Sequence, residues 1–189
     1  MKTRYLLAGC NGAGKTTAAY ALLPDLLDCR EFVNADEIAR GLSPFQPETV
    51  SIQAGRLMLA RLRELLAAGE TFALETTLAT RHYLRFIAEA RARGYEVMLY
   101  FFWLNSADLA VERVVARVSE GGHNIPELVI RRRYVGGLQQ FFNAYCTAVD
   151  QWLFVDNSNG AAHAIAENNG NLVVANSAIW QSLQAIYHG

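Results

Sequence analysis

The sequence predicts an α/β domain, a three-layer sandwich in which a parallel five-stranded sheet is flanked by helices. Short apolar runs alternate with amphipathic stretches from end to end. One of these runs, residues 97–104 (VMLYFFWL), is apolar on both faces, as a strand inside a parallel sheet must be. A glycine-rich stretch, GCNGAGKT, stands where the first strand gives way to the first helix. With 189 residues, 52% of them hydrophobic, the whole chain (1–189) reads as one domain able to bury a proper core.

Residues 5–8 form a short buried strand and 16–23 a helix, stopped ahead of Pro24, which has no amide donor. Residues 31–33 are the second strand, ending at Asn34-Ala35-Asp36. A helix beginning near Pro47 carries Ala54, Met58, Leu62, Leu65 and Leu66 on one face and stops at Gly69. Residues 71–74 make the third strand and run into Glu75-Thr76-Thr77. Residues 80–93 are helical, with Leu84, Ile87 and Ala88 inward and Gly94 as the stop. After the fourth strand, Ser106 caps a helix reaching about Ser119, with Asp108 in the first turn where the helix dipole favours a carboxylate. Gly121-Gly122-His123-Asn124-Ile125-Pro126 interrupts the pattern. A long helix follows, striped by Ile130, Tyr134, Leu138, Phe141, Phe142 and Tyr145. Residues 152–155 are the fifth strand, ending at Asp156-Asn157. The tail reads as a small hairpin (161–166 and 172–175) and a closing helix (177–187).

A net charge of −1 gives no reason to expect a nucleic-acid or membrane-surface partner. Cys10, Cys29 and Cys146 are odd in number and widely spaced, which suggests small buried thiols in a reducing cytosol rather than a disulfide framework or zinc site. Leu7-Ala8-Gly9-Cys10 imitates a lipoprotein cleavage box, but too few apolar residues precede it to make a signal peptide. No apolar run is long enough to span a bilayer. The expected location is cytoplasmic.

The first turn of the chain fits G-x-x-x-x-G-K-T with a strand before and a helix after it. Glycines let successive amide N–H groups face phosphate oxygens, and the helix N-terminus adds positive potential. The only lysines are Lys2 and Lys15, so the one inside the body of the domain falls in this pattern. Gly9, Cys10, Asn11, Gly12, Ala13, Gly14, Lys15, Thr16 and Thr17 are therefore expected to wrap a nucleoside triphosphate in a P-loop NTPase fold. Lys15 bridges the outer phosphates in this reading, and the Thr16 hydroxyl is a Mg²⁺ ligand. A GTPase would need N-K-x-D and D-x-x-G, and neither occurs; the transporter signature L-S-G-G-Q is absent too. Asp156, after Leu153-Phe154-Val155, is either a magnesium-binding strand end or a turn residue.

A compact P-loop kinase remains. It needs an acceptor base on a neighbouring strand end and arginines that cover the transferring phosphoryl group. Asp36 is placed to accept the proton of a substrate hydroxyl, or alternatively to cap a short helix over 37–41. Glu75 is placed to orient substrate hydroxyls or hold a magnesium-bound water, or else is a turn carboxylate. Arg113 and Arg117 share one helix face, and Arg131-Arg132-Arg133 sweep too wide an arc for all three to be solvated together. With the glycine hinge between them, they suggest a short helical lid over about 113–134. His123 is either a phosphate contact within it or an exposed loop residue.

GCNGAGKTT, FVNADEIARGLSPFQPE, ETTLATR and GGHNIPELVIRRRYVGGLQQFF together resemble the short bacterial members of the zeta toxin family, over roughly residues 4–160. The better-known toxins of that family are P-loop kinases that phosphorylate the 3′-hydroxyl of UDP-N-acetylglucosamine. The resemblance implies that Lys15 and Thr16 handle ATP and Mg²⁺ and that Asp36 is the base. It also implies that Glu75 and Thr77 face the sugar nucleotide, and that lid arginines clamp the phosphates, drawn from Arg131, Arg132 and Arg133 and from either Arg113 or Arg117. Asn34 and Arg81 complete the substrate side, Arg81 at a spacing from Glu75 that differs from the toxins. His123 stands where one lid arginine of the larger toxins falls. A separate antitoxin protein is a possible partner.

The expected activity is transfer of the γ-phosphoryl group of ATP to a hydroxyl of a small substrate, UDP-N-acetylglucosamine first among them. Two rivals stay open: a nucleotide-binding regulator with slow hydrolysis, and a kinase acting on another nucleotide, sugar or nucleic-acid end.

Overall fold

In the computed structural model, which describes residues 2–119, 121–122 and 124–188, strands and helices alternate as the hydrophobic pattern predicts. The elements are β1 (Thr3–Ala8), α1 (Lys15–Leu22), β2 (Glu31–Val33), α2 (Ala35–Leu42), α3 (Ser51–Ala68), β3 (Phe72–Thr76), α4 (His82–Ala92), β4 (Glu96–Trp103), α5 (Ala107–Ser119) and α6 (Glu127–Gln140). A π-helical turn (Phe141–Tyr145) and the short α7 (Cys146–Ala148) lead into β5 (Gln151–Asp156), β6 (His163–Asn168), β7 (Leu172–Val174) and α8 (Ser177–Tyr187). No helix among the described residues is long and apolar enough to cross a membrane.

The strand order is β2-β3-β1-β4-β5-β6-β7. The first five are parallel, as expected, but the sheet does not stop there. The C-terminal hairpin, read from sequence as a separate appendage, pairs antiparallel through β6 with β5 and extends the sheet to seven strands. The reason lies in β5, where Trp152, Phe154 and Val155 are buried. Left as an edge, it would present a row of unpaired backbone groups beside a large apolar face. Trp180 of α8 then stacks on Trp152, ring centroids 5.3 Å apart, and closes that end of the core.

Two further expectations are corrected. The inward face of α4 carries Ile87 and Ala90, with Tyr83, Leu84 and Phe86 packed against the core, while Ala88 faces solvent. Arg4, fully buried at the start of β1, accounts for the rotation. Its guanidinium lies 3.6 Å from the Phe86 ring centroid and donates Nη1 to the Phe86 carbonyl at 2.8 Å. The chain after β2 also forms a full helix, α2, whose N-cap is Asn34: its side-chain oxygen accepts from the Asp36 amide at 2.8 Å. The capping alternative for Asp36 is thereby excluded, and its carboxylate stays outside the cap.

Candidate active site

Parallel pairing fixes which side chains meet. β1 lies between β3 and β4, with Leu7 opposite Glu75 and Ala8 opposite Thr76, while Val33 of β2 stands opposite Leu74. The carboxyl ends of β1, β2 and β3 thus bring Gly9, Asn34 and Glu75 to one edge. Connections leave β1 and β3 towards opposite halves of the sheet, and such a switch point is where open α/β sheets bind ligands.

The loop after β1 turns into α1 at Gly14, whose φ of 83° lies in the left-handed region. A Cβ there would meet Asn157 Nδ2 at 2.5 Å, and that amide donates to the Ala13 carbonyl at 2.8 Å. Position 14 therefore needs glycine for both conformation and space. Lys15 is 5% exposed; its Nζ donates to the Cys10 carbonyl at 2.8 Å and lies 3.5 Å from Glu75 Oε1. Thr16 Oγ1 donates to Glu75 Oε2 at 2.7 Å, and Asn34 Nδ2 donates to the same oxygen at 2.8 Å. Glu75 gathers an ammonium, a hydroxyl and an amide, all predicted from sequence as site residues. Burial pushes the Cys10 thiol up to about 11 despite the nearby Lys15 charge, so it remains a protonated thiol in the core.

Two clefts meet here. The larger, about 670 Å³, is lined by Gly12, Gly14, Thr16, Thr17, Arg113 and Arg117 on the loop side and by Glu37 and Arg40 on the α2 side. The smaller, about 280 Å³, is lined by Asn34, Met58, Thr76, Thr77, Thr80, His82, Tyr83 and Arg133. Asn11, Lys15, Asp36 and Glu75 line both. Arg113 is fixed by donating Nη2 to the Ser158 carbonyl at 2.8 Å. Asp156 is the turn residue that shapes this contact, its Oδ1 accepting from the Ser158 amide at 2.9 Å.

The three consecutive arginines divide as a helix must divide them. Arg131 bonds Glu127 at 2.7 Å and Asp108 at 2.6 Å on the outer surface, and Arg132 is exposed. Arg133 points inward, donating Nη1 to Asn11 Oδ1 at 3.0 Å, and its burial lowers its pKa from the ordinary value while Asp36 counters the shift. Arg81 is exposed, bonded to Gln140 at 3.3 Å, and is absent from the described lining of the smaller cleft. His123 lies outside the described residues.

Sequence reasoning missed the supports of the loop between β3 and α4. Leu78 adopts a φ of 55°, uncommon outside glycine, and its amide donates to Thr76 Oγ1 at 3.0 Å. The buried Tyr145 hydroxyl donates to the Thr80 carbonyl at 2.7 Å and accepts from the Tyr83 amide at 3.3 Å. On α6, a Cβ at Gly137 would stand 2.8 Å from the Thr77 carbonyl, so only glycine lets helix and loop approach this closely. The paired glycines of YVGGLQQ, inside a helix where glycine is costly, were the available signal.

Strand, glycine turn, buried lysine and parallel sheet define an α/β protein of the P-loop kinase-like fold. The chain belongs to the zeta toxin family, whose model matches residues 1–178. An uncharacterized protein of Haemophilus influenzae (strain ATCC 51907 / DSM 11121 / KW20 / Rd) is 29% identical over 126 residues, 67% of this chain and 88% of that protein. Among solved structures, the AvrRxo1-ORF1:AvrRxo1-ORF2 complex with sulphate ions superposes with a TM-score of 0.78 at 16% identity, covering 97% of this chain. This chain spans only 63% of the length of that one. The same complex with ATP gives 0.75 at 17% identity, covering 97% and 63%. The PezAT chromosomal toxin–antitoxin system of Streptococcus pneumoniae gives 0.70 at 17% identity, covering all of this chain and 79% of that one. At these identities the structures establish the fold.

Proposed function

We propose that the protein transfers the γ-phosphoryl group of ATP to a hydroxyl of a small molecule, with the 3′-hydroxyl of the sugar in UDP-N-acetylglucosamine as the leading acceptor. The observation that carries this reading is the shared wall of two clefts, where Lys15, Asp36, Glu75 and Asn11 stand between a loop-lined space and a hydroxyl- and amide-lined one. In-line transfer needs donor and acceptor to approach one point from two sides. A slow-hydrolysing regulator needs only the first cleft. The AvrRxo1 complex with ATP supports the donor, while the acceptor's identity rests on family membership.

In this reading the amides of residues 9–17 wrap the phosphates and Lys15 exchanges the Cys10 carbonyl for phosphate oxygen. Asp36 takes the acceptor proton as the hydroxyl oxygen bonds to the γ-phosphorus and the bridging oxygen leaves with ADP. Arg113, Arg117 and the inward Arg133 face the charge that spreads over the phosphoryl oxygens. Arg131 and Arg132, expected in that role, lie on the outer face, and Arg81 lies off the cleft; Asn34 and Thr77 remain on the acceptor side. The Thr16 hydroxyl fits a Mg²⁺ ligand and Glu75 an acceptor for its water, since both are hard oxygen donors and already adjoin. The described residues hold no cluster of three or more His, Cys, Asp or Glu, and a P-loop cation needs none because phosphate and water complete its shell. Bound there, the ion would neutralise charge between the outer phosphates. A separate antitoxin and a cytoplasmic location belong to the same proposal, the first supported by PezAT.

The test is ³¹P NMR of the protein with Mg·ATP, with and without UDP-N-acetylglucosamine, beside Asp36→Asn. A new phosphomonoester signal requiring the sugar nucleotide is expected, falling by about 10²-fold or more in the variant. Near-normal turnover in Asp36→Asn would sink the base, and ADP with free phosphate alone would sink the acceptor.

A further inference from the structure

The sheet has two edges, and they are finished differently. At one, β2 carries Glu31, partly exposed and paired with Arg61 at 2.8 Å. Charge on an edge strand deters pairing with another chain. At the other, β7 pairs with β6 alone, so alternate N–H and C=O groups of its backbone turn outward. It presents Leu172, 54% exposed, and Val173, 50% exposed, with no charged residue from Asn168 to Asn176. The lack of charge runs through the whole C-terminal unit. From Asn157 to His188, Glu167 is the only Asp, Glu, Lys or Arg, in a chain that is 19% charged. Helix α8 shares it, since Ala178, Gln181, Ser182, Ala185 and Ile186 are its exposed face. A helix that meets only water ordinarily carries charge there, and depletion of charge marks the core of a protein interface. The register places the apolar side chains. Leu172 and Val174 share a face with Trp152 and Phe154, the face on which Trp180 of α8 packs. Val173 lies on the opposite face with Glu167 and Leu153. The edge is therefore apolar on both sides.

We propose that β7 is a docking surface for a second copy of this chain, the two β7 strands pairing antiparallel about a two-fold axis at Val173. A two-fold axis makes any edge pair with itself antiparallel. Centred there, it sets Val173 beside its mate and Leu172 beside Val174 of the second copy. The charge pattern selects this occupant: an uncharged surface meets itself without repulsion, whereas an acidic or basic partner finds nothing to pair with. The one carboxylate does not oppose it. The two Glu167 side chains stand three strand spacings apart, about 14 Å, which is beyond the screening length of physiological salt. With β7 only three residues long, backbone pairing is brief, and burial of Leu172 and Val173 supplies the rest. Neither cleft is lined by β6, β7 or α8, so the pairing leaves both open and is independent of the phosphotransferase reading.

The experiment is sedimentation velocity of the natural chain at rising concentration, beside Val173→Lys, Val173→Glu, an equimolar mixture of those two, and Ile52→Lys. The last charges a different exposed apolar residue, on α3. The natural chain and Ile52→Lys are expected to dimerise alike. Val173→Lys and Val173→Glu alone are each expected to weaken the dimer by about 100-fold, the scale of like charges held opposite one another at an interface. Their mixture is expected to recover it, because opposite charges then meet across the axis, and that recovery shows both variants to be folded. The proposal is overturned if the natural chain stays monomeric up to about 1 mM, where association is already very weak, which would leave the edge to a different protein. It is equally overturned if Val173→Lys dimerises as the natural chain does, if Ile52→Lys breaks the dimer, or if the mixture stays monomeric.

Discussion

The two clefts that share Lys15 and Asp36 are built in different ways. The phosphate loop is one unbroken stretch of chain, Gly9 to Thr17, in which each residue's place follows from the one before, even though α2, the end of β3 and α5 complete the cleft around it. The smaller cleft, proposed for the acceptor, is assembled from α2, α3, the end of β3, the loop after it, α4 and α6. Its shape depends on how those elements pack, through contacts such as Gly137 on Thr77 and Tyr145 on Thr80. A site made of sequence neighbours tolerates changes in packing. A site made of remote pieces inherits every error in it.

The largest effect should come from the loop side. Lys15→Met removes the ammonium that lines both clefts and is expected to lower turnover by about 10³-fold, the upper range for losing one charge-stabilising donor. It should lower thermal melting as well, because the largely buried Glu75 loses its cation and the Cys10 carbonyl its donor. Turnover within tenfold of normal would mean that the loop is not where the donor's phosphates lie. Arg133→Ala comes next, at about 10²-fold. It tests whether α6 reaches across to the loop through Asn11, as the 3.0 Å bond indicates. Single-turnover rates at saturating ATP would separate this loss from weaker donor binding.

The same contrast explains what could be read in advance. The phosphate loop was legible because glycine, lysine and threonine at fixed spacing encode it locally. Asp36 and Glu75 were legible because each stands where a strand runs out. Which arginine of 131–133 turns inward was not legible, since it depends on the rotation of α6 about its axis. That rotation is set by Ile130, Tyr134 and Leu138 in the core and by Gly137 against a carbonyl of another segment. The π-helical turn at Phe141–Tyr145 was not legible either, because Phe141, Phe142 and Tyr145, all buried, would share one face of a regular helix just as well. The joining of the hairpin to β5 was hidden for a related reason: β6 begins at an exposed His163 and has only Ile165 and Ala166 buried, so its place in the sheet follows from its neighbour more than from its own composition.

Two substitutions on the acceptor side sharpen the comparison at smaller magnitude. Gly137→Ala places a methyl 2.8 Å from the Thr77 carbonyl and should cost about 2 kcal/mol of stability, within the range for overpacking. Because the displaced segment lines only the smaller cleft, KM for the acceptor should rise while affinity for an ATP analogue holds. Tyr145→Phe keeps the ring but leaves the Thr80 carbonyl and Tyr83 amide without that partner, for about 1 kcal/mol. Urea unfolding of both variants, read beside analogue binding, would break the division between clefts if donor affinity fell in step with stability.

Arg131→Ala should do least. Its guanidinium is held by Glu127 and Asp108 in the open, where solvent screens the pairs and two long side chains must be ordered to make them. Turnover is expected to stay within twofold of normal and the melting temperature to move little, and less still at high salt. The value of so small an effect lies in its neighbour. Arg131 and Arg133 are two residues apart on one helix, chemically identical and equally basic by sequence, so a large loss at 133 beside none at 131 measures the orientation of α6 directly. Equal losses at both would show that α6 turns on ligand binding, and that Arg131 exchanges its surface carboxylates for the phosphoryl group.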